Sequence, residues 1–188
     1  MLFRSAHTEL RELFFDGSIL LRGPGSHVGG MVGDLQPDYL HPTAPLLENA
    51  HARGEIDAGR EAHLVGGIIG QVGCNYNDIA TCEVKNLSFS GRVVGKASVG
   101  GVIGEAWGNV ASQVHISRVH SEGEIEGALW NVGGVVGGLR HSSLFQASSN
   151  AEVRALPNTS SASLPCIDRP TISLSAVGGI VGYAGPSS

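Results

Sequence analysis

A six-residue phrase, Val-Gly-Gly-apolar-apolar-Gly, recurs five times and constrains the fold of this chain more than any other feature. The copies begin at Val28, Val65, Val99, Val132 and Val177, at intervals of 37, 34, 33 and 45 residues. Their glycines are Gly29, Gly30 and Gly33, then Gly66, Gly67 and Gly70, then Gly100, Gly101 and Gly104. Gly133, Gly134 and Gly137 follow, and Gly178, Gly179 and Gly182 complete the set. A second element precedes each copy: apolar-x-x-apolar, three more residues, then Gly-x-[Ile/Val]. It reads Leu10…Leu13…Gly17-Ser18-Ile19, Leu47…Ala50…Gly54-Glu55-Ile56 and Val84…Leu87…Gly91-Arg92-Val93. It continues with Ile116…Val119…Gly123-Glu124-Ile125 and Leu144…Ala147…Ala151-Glu152-Val153, where alanine replaces the glycine.

Self-similarity at a near-constant period marks a repeat architecture. Each segment is too short for a helix and too rich in glycine and β-branched residues to favour one. Each suits a strand of about 4–6 residues. Alternation places Ile19, Ile56, Val93, Ile125 and Val153 on one face, and Ser18, Glu55, Arg92, Glu124 and Glu152 on the other. One unit cannot hide its apolar face, whereas units stacked about 4.8 Å apart share a continuous core. The pattern predicts an all-β chain folded as a parallel β-solenoid of about five coils, roughly 24 Å long. Residues 1–188 form one repeat domain, with units at 10–33, 47–70, 84–104, 116–137 and 144–182 and an insertion at 156–175. A Greek-key sandwich also shows regularly spaced short strands, but it does not require the same hexapeptide in each unit. The stretches 34–46, 71–83, 105–115 and 138–143 read as loops, and 20–27 and 58–64 as bulges at another corner.

These residues resemble the GLUG-type repeat, an apolar-x-Asn-x-x-x-x-Gly-x-Val-x-Gly lead followed by Val-Gly-Gly-apolar-Val-Gly. Leu47-Glu48-Asn49-Ala50-His51-Ala52-Arg53-Gly54-Glu55-Ile56 and Val84-Lys85-Asn86-Leu87-Ser88-Phe89-Ser90-Gly91-Arg92-Val93 carry the lead, and residues 65–70 and 99–104 the second half. Glu12, Arg118 and Gln146 stand at the lead asparagine in the other copies. The resemblance covers residues 10–182. It implies a β-solenoid stalk or adhesive segment of a bacterial surface protein, extracellular or at the cell surface, with any catalysis in another domain.

Composition narrows the classes. The net charge is −5, with no basic block, so the electrostatic footprint of a nucleic-acid binder is missing. No apolar run approaches 18 residues, which argues against membrane insertion by a helix. Residues 1–21 contain no signal-like apolar region, so the chain either stays inside the cell or is a piece of something longer. Three cysteines are too few for a disulfide scaffold. Cys74 and Cys82 flank a short polar stretch and form a possible disulfide; unrelated small side chains are the simpler reading, and Cys166 has no obvious partner.

Sites for catalysis, cofactors or metals do not emerge, and no cofactor is expected. The glycine motif is GGxxG rather than the dinucleotide GxGxxG, and no phosphate-loop Lys-Ser/Thr follows it. Only the first copy is followed by Asp, at Asp34, so a calcium ladder is a poor match. The histidines are His7, His27, His41, His51, His63, His115, His120 and His141, without HxH or HExxH spacing. His51 and His120 share a unit position but lie two coils apart, about 9.6 Å, too far for one zinc. His115 and His120 remain able to converge with a loop residue. Glu122 and Glu124 are a candidate carboxylate pair, equally readable as a solvated edge. Glu55, Arg92 and Glu124 read as a charge ladder across strands.

If the hexapeptide is a single strand, its fourth residue points outward. Met31, Ile68, Val102, Val135 and Ile180 would then align in an exposed apolar interaction stripe, a docking surface for another protein, a second solenoid or ice, the alternative being that a corner or loop covers it. A protein or glycan surface partner is the general expectation. Three functional readings remain open: a structural or interaction module, an enzyme on a β-helix acting on polysaccharide, and a subunit that stacks end to end on copies of itself.

Overall fold

A computed structural model describes residues 9–37, 44–74, 81–155 and 176–185. The insertion 156–175, Cys166, His7 and His41 lie outside the described residues. Among the described residues fifteen strands, β1 to β15 in chain order, form three parallel five-stranded sheets of a β-solenoid. The first sheet stacks β1 (Glu9–Leu20), β4 (Leu46–Asp57), β7 (Thr81–Gly95), β10 (Gln113–Gly127) and β13 (Ser142–Ala155). The second holds β2 (Ser26–Gly29), β5 (His63–Gly66), β8 (Ala97–Gly100), β11 (Val132–Gly133) and β14 (Val177–Gly178). The third holds β3 (Val32–Leu35), β6 (Ile69–Cys74), β9 (Ile103–Gly108), β12 (Val136–Arg140) and β15 (Val181–Gly185). The chain visits the sheets in that order and then climbs one rung, giving five strand triplets and about four complete turns.

Register follows the repeat without a slip. Ile19, Ile56, Val93, Ile125 and Val153 pair in one column, and Val28, Val65, Val99, Val132 and Val177 in another. Val32, Ile69, Ile103, Val136 and Val181 make a third. The central members of all three columns are buried; in the end coils Val32 is also buried, Ile19, Val28, Val153 and Val181 are partly buried, and Val177 is exposed.

The segments divide differently from the pattern read in the sequence. Each lead forms one long strand instead of two short ones, bent at the lead asparagine position. Glu12, Asn49, Asn86, Arg118 and Gln146 all adopt positive φ, between 53° and 56°. The bend turns the side chains on both sides of it inward, which is why apolar residues three apart, such as Leu47 and Ala50, are both buried. Asparagine suits the left-handed conformation. Here Asn86 Nδ2 also donates to Asn49 Oδ1 at 2.5 Å, and Asn49 Nδ2 to Glu12 Oε1 at 2.6 Å. The stretches following the hexapeptide are not loops from their first residue: β6 and β9 continue through Cys74 and Gly108, carrying Val72 and Ala106 into the core.

The hexapeptide itself spans a corner between the second and third sheets. This overturns the exposed stripe: Ile68, Val102 and Val135 are fully buried, and Met31 and Ile180 pack partly buried against the core in the end coils. At the corner the carbonyl of the fourth residue points along the axis. The Ile68 oxygen accepts from Met31 N and Val32 N, and the Val102 oxygen from Ile68 N and Ile69 N. The Val135 and Ile180 oxygens repeat the pattern, and the side chain is left to face inward. The third-position glycine makes room for a side chain crossing from the first sheet: a Cβ on Gly67 would run into the Phe89 ring.

Gly54, Gly91 and Gly123 occupy φ of 131°, 148° and 111°, and a Cβ on any of them would strike the carbonyl oxygen of the glycine one coil earlier. Ala151, at the end of that column, is not left-handed, so its methyl is tolerated. Gly91→Ala is therefore expected to cost about 2–4 kcal/mol in a urea unfolding series. An unchanged midpoint would contradict the close approach.

Candidate functional site

Two outward faces carry the chemically capable side chains. On the first sheet, alternation sends charged residues to solvent and parallel register stacks them. Arg92 reaches Glu55 at 2.8 Å, Glu126 at 3.0 Å and Glu124 at 3.4 Å. Arg154 holds Glu152 at 2.8 Å and also binds Glu124. Burial lowers the Arg92 guanidinium, but the hydrogen bond to Glu55 and the charges of Glu126, Glu55 and Glu124 outweigh it and raise it. Glu124 is thus held by two arginines, and Glu122 accepts from Ser90 Oγ at 2.6 Å. The Glu122–Glu124 pair is engaged in cross-coil contacts along its two columns.

The same sheet carries a shallow depression of about 410 Å³ beside the asparagine bend, lined by Glu83, Lys85, His115, Ser117, Arg118 and Phe145 among others. His115 belongs to it, whereas His120 lies beyond the bend and pairs with Ser148 at 2.9 Å. His51 pairs with Ser88 at 2.7 Å, the residue that separates it from His120 in their column. Among the described residues, no three His, Cys, Asp or Glu side chains gather as metal ligands. Cys74 and Cys82 form a disulfide.

The second face was not singled out from the sequence. The third sheet presents Asp34, Gln71, Glu105, Gly138 and Tyr183 in one outward column, with Gly73, Trp107, Arg140 and Gly185 beside it. Leu64, Gln71, Glu105, Trp107 and Arg140 line a groove of about 390 Å³. Arg140 Nε lies 3.0 Å from Glu105, and its guanidinium sits 6.0 Å from the centre of the Tyr183 ring. Two buried polar atoms on this face, Asp34 Oδ1 and Trp107 Nε1, have no hydrogen-bond partner among the described residues. The available signal was the strand-like alternation of Asp34, Gln71 and Glu105 with Leu35, Val72 and Ala106, which the reading of these stretches as loops concealed.

Two outcomes follow. Replacing Arg92 by Ala leaves Glu55, Glu124 and Glu126 without their shared cation. The expected loss is about 1 kcal/mol at low salt and less at high salt, because the pairs are solvent-screened; a salt-independent loss would contradict this account. Burial raises the Asp34 carboxyl above its ordinary value of 3.8, with His27 and a hydrogen bond from Gln36 opposing it. The folded state then holds the proton more tightly than the unfolded state, so stability falls as pH rises from 3.8 through the raised value. Asp34→Asn should remove that slope and raise the thermal midpoint at neutral pH, read from thermal midpoints against pH.

No family model, curated protein or solved structure matches the chain.

Proposed function

We propose that this chain is a rigid structural and interaction module, a β-solenoid stalk or adhesive segment of a bacterial surface protein, with no catalysis of its own. The observation that carries the reading is the unbroken register of five rungs in all three sheets. Such a body keeps a fixed length and presents fixed columns of side chains, the properties required of a spacer. Four outward acidic residues of the first sheet support it, since Glu55, Glu124, Glu126 and Glu152 are each paired with arginine. The Cys74–Cys82 disulfide favours an oxidising compartment outside the cytosol, in keeping with a surface location. The resemblance to GLUG-type repeats points the same way.

Excising residues 84–115 joins Glu83 to Ile116, the residue paired with Val84, and removes one coil in register. The shortened protein is expected to stay folded, with its scattering envelope shorter by about 4.8 Å along the axis. Loss of the fold would oppose a modular spacer. Antibodies to the chain should label intact cells, and labelling only after permeabilisation would overturn the surface assignment. Release of reducing ends from polysaccharides, abolished by Glu122→Gln or Glu124→Gln, would overturn the absence of catalysis.

A further inference from the structure

The groove on the third sheet has the features of a built binding site, and its chemistry selects a ligand class. It spans neighbouring rungs, with Gln71 on β6, Glu105 and Trp107 on β9 and Arg140 on β12. Side chains on adjacent rungs stand about 4.8 Å apart, so a ligand lying along the axis meets a fresh polar group at each step. The groove volume of about 390 Å³ falls within the range of small-ligand sites. Glycines open it: Gly138 stands where the outward column would otherwise carry a side chain beside Glu105, and Gly73 leaves the space that the Trp107 indole covers.

The groove lining carries no net charge, which favours an uncharged ligand. Glu105 and Arg140 neutralise each other at 3.0 Å, yet a carboxylate retains further acceptor sites and a guanidinium further donors. Tyr183 packs near the guanidinium and holds it in place. Gln71, only 7 % exposed, offers one amide donor group and one acceptor in the floor. The Trp107 Nε1 and Asp34 Oδ1 atoms are themselves buried from solvent, so what a ligand in the groove meets is the rest of the indole together with Gln71, Glu105 and Arg140. A ligand that satisfies donors and acceptors together, carries no net charge and has an apolar face for an indole is a polyhydroxylated ring.

We propose that the groove formed by Leu64, Gln71, Glu105, Trp107 and Arg140 binds a neutral saccharide, seated against Trp107 with its hydroxyls on Gln71, Glu105 and Arg140. The proposal does not depend on the spacer reading, which stands whether or not the groove is filled.

The chain has two tryptophans, so Trp130→Phe leaves Trp107 as the sole reporter. Its emission is followed while neutral oligosaccharides of the gluco, manno, galacto and N-acetylglucosamino series are titrated in. A uronic acid oligomer and oligodeoxythymidine serve as charged comparisons. At least one neutral series is expected to give a saturable change. Gln71→Ala and Arg140→Ala should each weaken it about tenfold, whereas Glu152→Gln on the first sheet should leave it unchanged. Thermal midpoints report whether each variant is folded. Trp107→Ala, read by calorimetry, removes the indole surface against which the sugar is seated, and should also bind about tenfold more weakly. No saturable change with any neutral series overturns the proposal. So does undiminished affinity in the folded Gln71→Ala and Arg140→Ala variants, or a response confined to the charged oligomers.

Discussion

Parallel in-register pairing between coils is the constraint from which the other features follow. Because β4 pairs with β7 and β7 with β10 at equivalent residues, every position is repeated along the axis by its counterparts. A residue that suits its own coil must also suit the same position above and below it. Inward positions become continuous columns such as Ile56, Val93 and Ile125, all fully buried. Corners become columns of glycine, because backbones approach too closely there for a Cβ. Outward positions become ladders, which remain stable only where charges alternate, as with Glu55, Arg92 and Glu124, or where polar groups bond to one another.

Much of this was legible in the residues. The hexapeptide and the Gly-x-Ile lead identified the repeat period, the inward columns and the paired charges. They did so because both depend on local periodicity, which a strand preserves wherever it lies. The path around each coil was less legible. A corner breaks alternation, and nothing in Val65-Gly66-Gly67-Ile68-Ile69-Gly70 alone tells whether it is one strand or two joined by a bend. Reading it as one strand placed Ile68 outside, while the shared carbonyl contacts at the corner turn it in. The groove on the third sheet was harder still. Gln71, Trp107 and Arg140 come from three coils and share no sequence motif, so only the register brings them together.

The two ends of the molecule differ in their local rules. Central coils show the full pattern of buried columns and left-handed glycines. In the first and fifth coils Ile19 and Val153 are only partly buried, and Ala151 departs from both the glycine and its left-handed φ.

The uneven widths of the three sheets give the body a mechanical grain. Between the fourth and fifth rungs, the first sheet is joined from Val114 to Gly127, but the second only through Val132 and Gly133. A force along the axis is shared by every bond in a layer, so the broad sheet carries most of it. A sideways force that opens the seam on the narrow sheet meets two residue pairs before the layers part. The solenoid is therefore stiff against flexure toward one flank and compliant toward another, and this directional bias is built into the lengths of its strands.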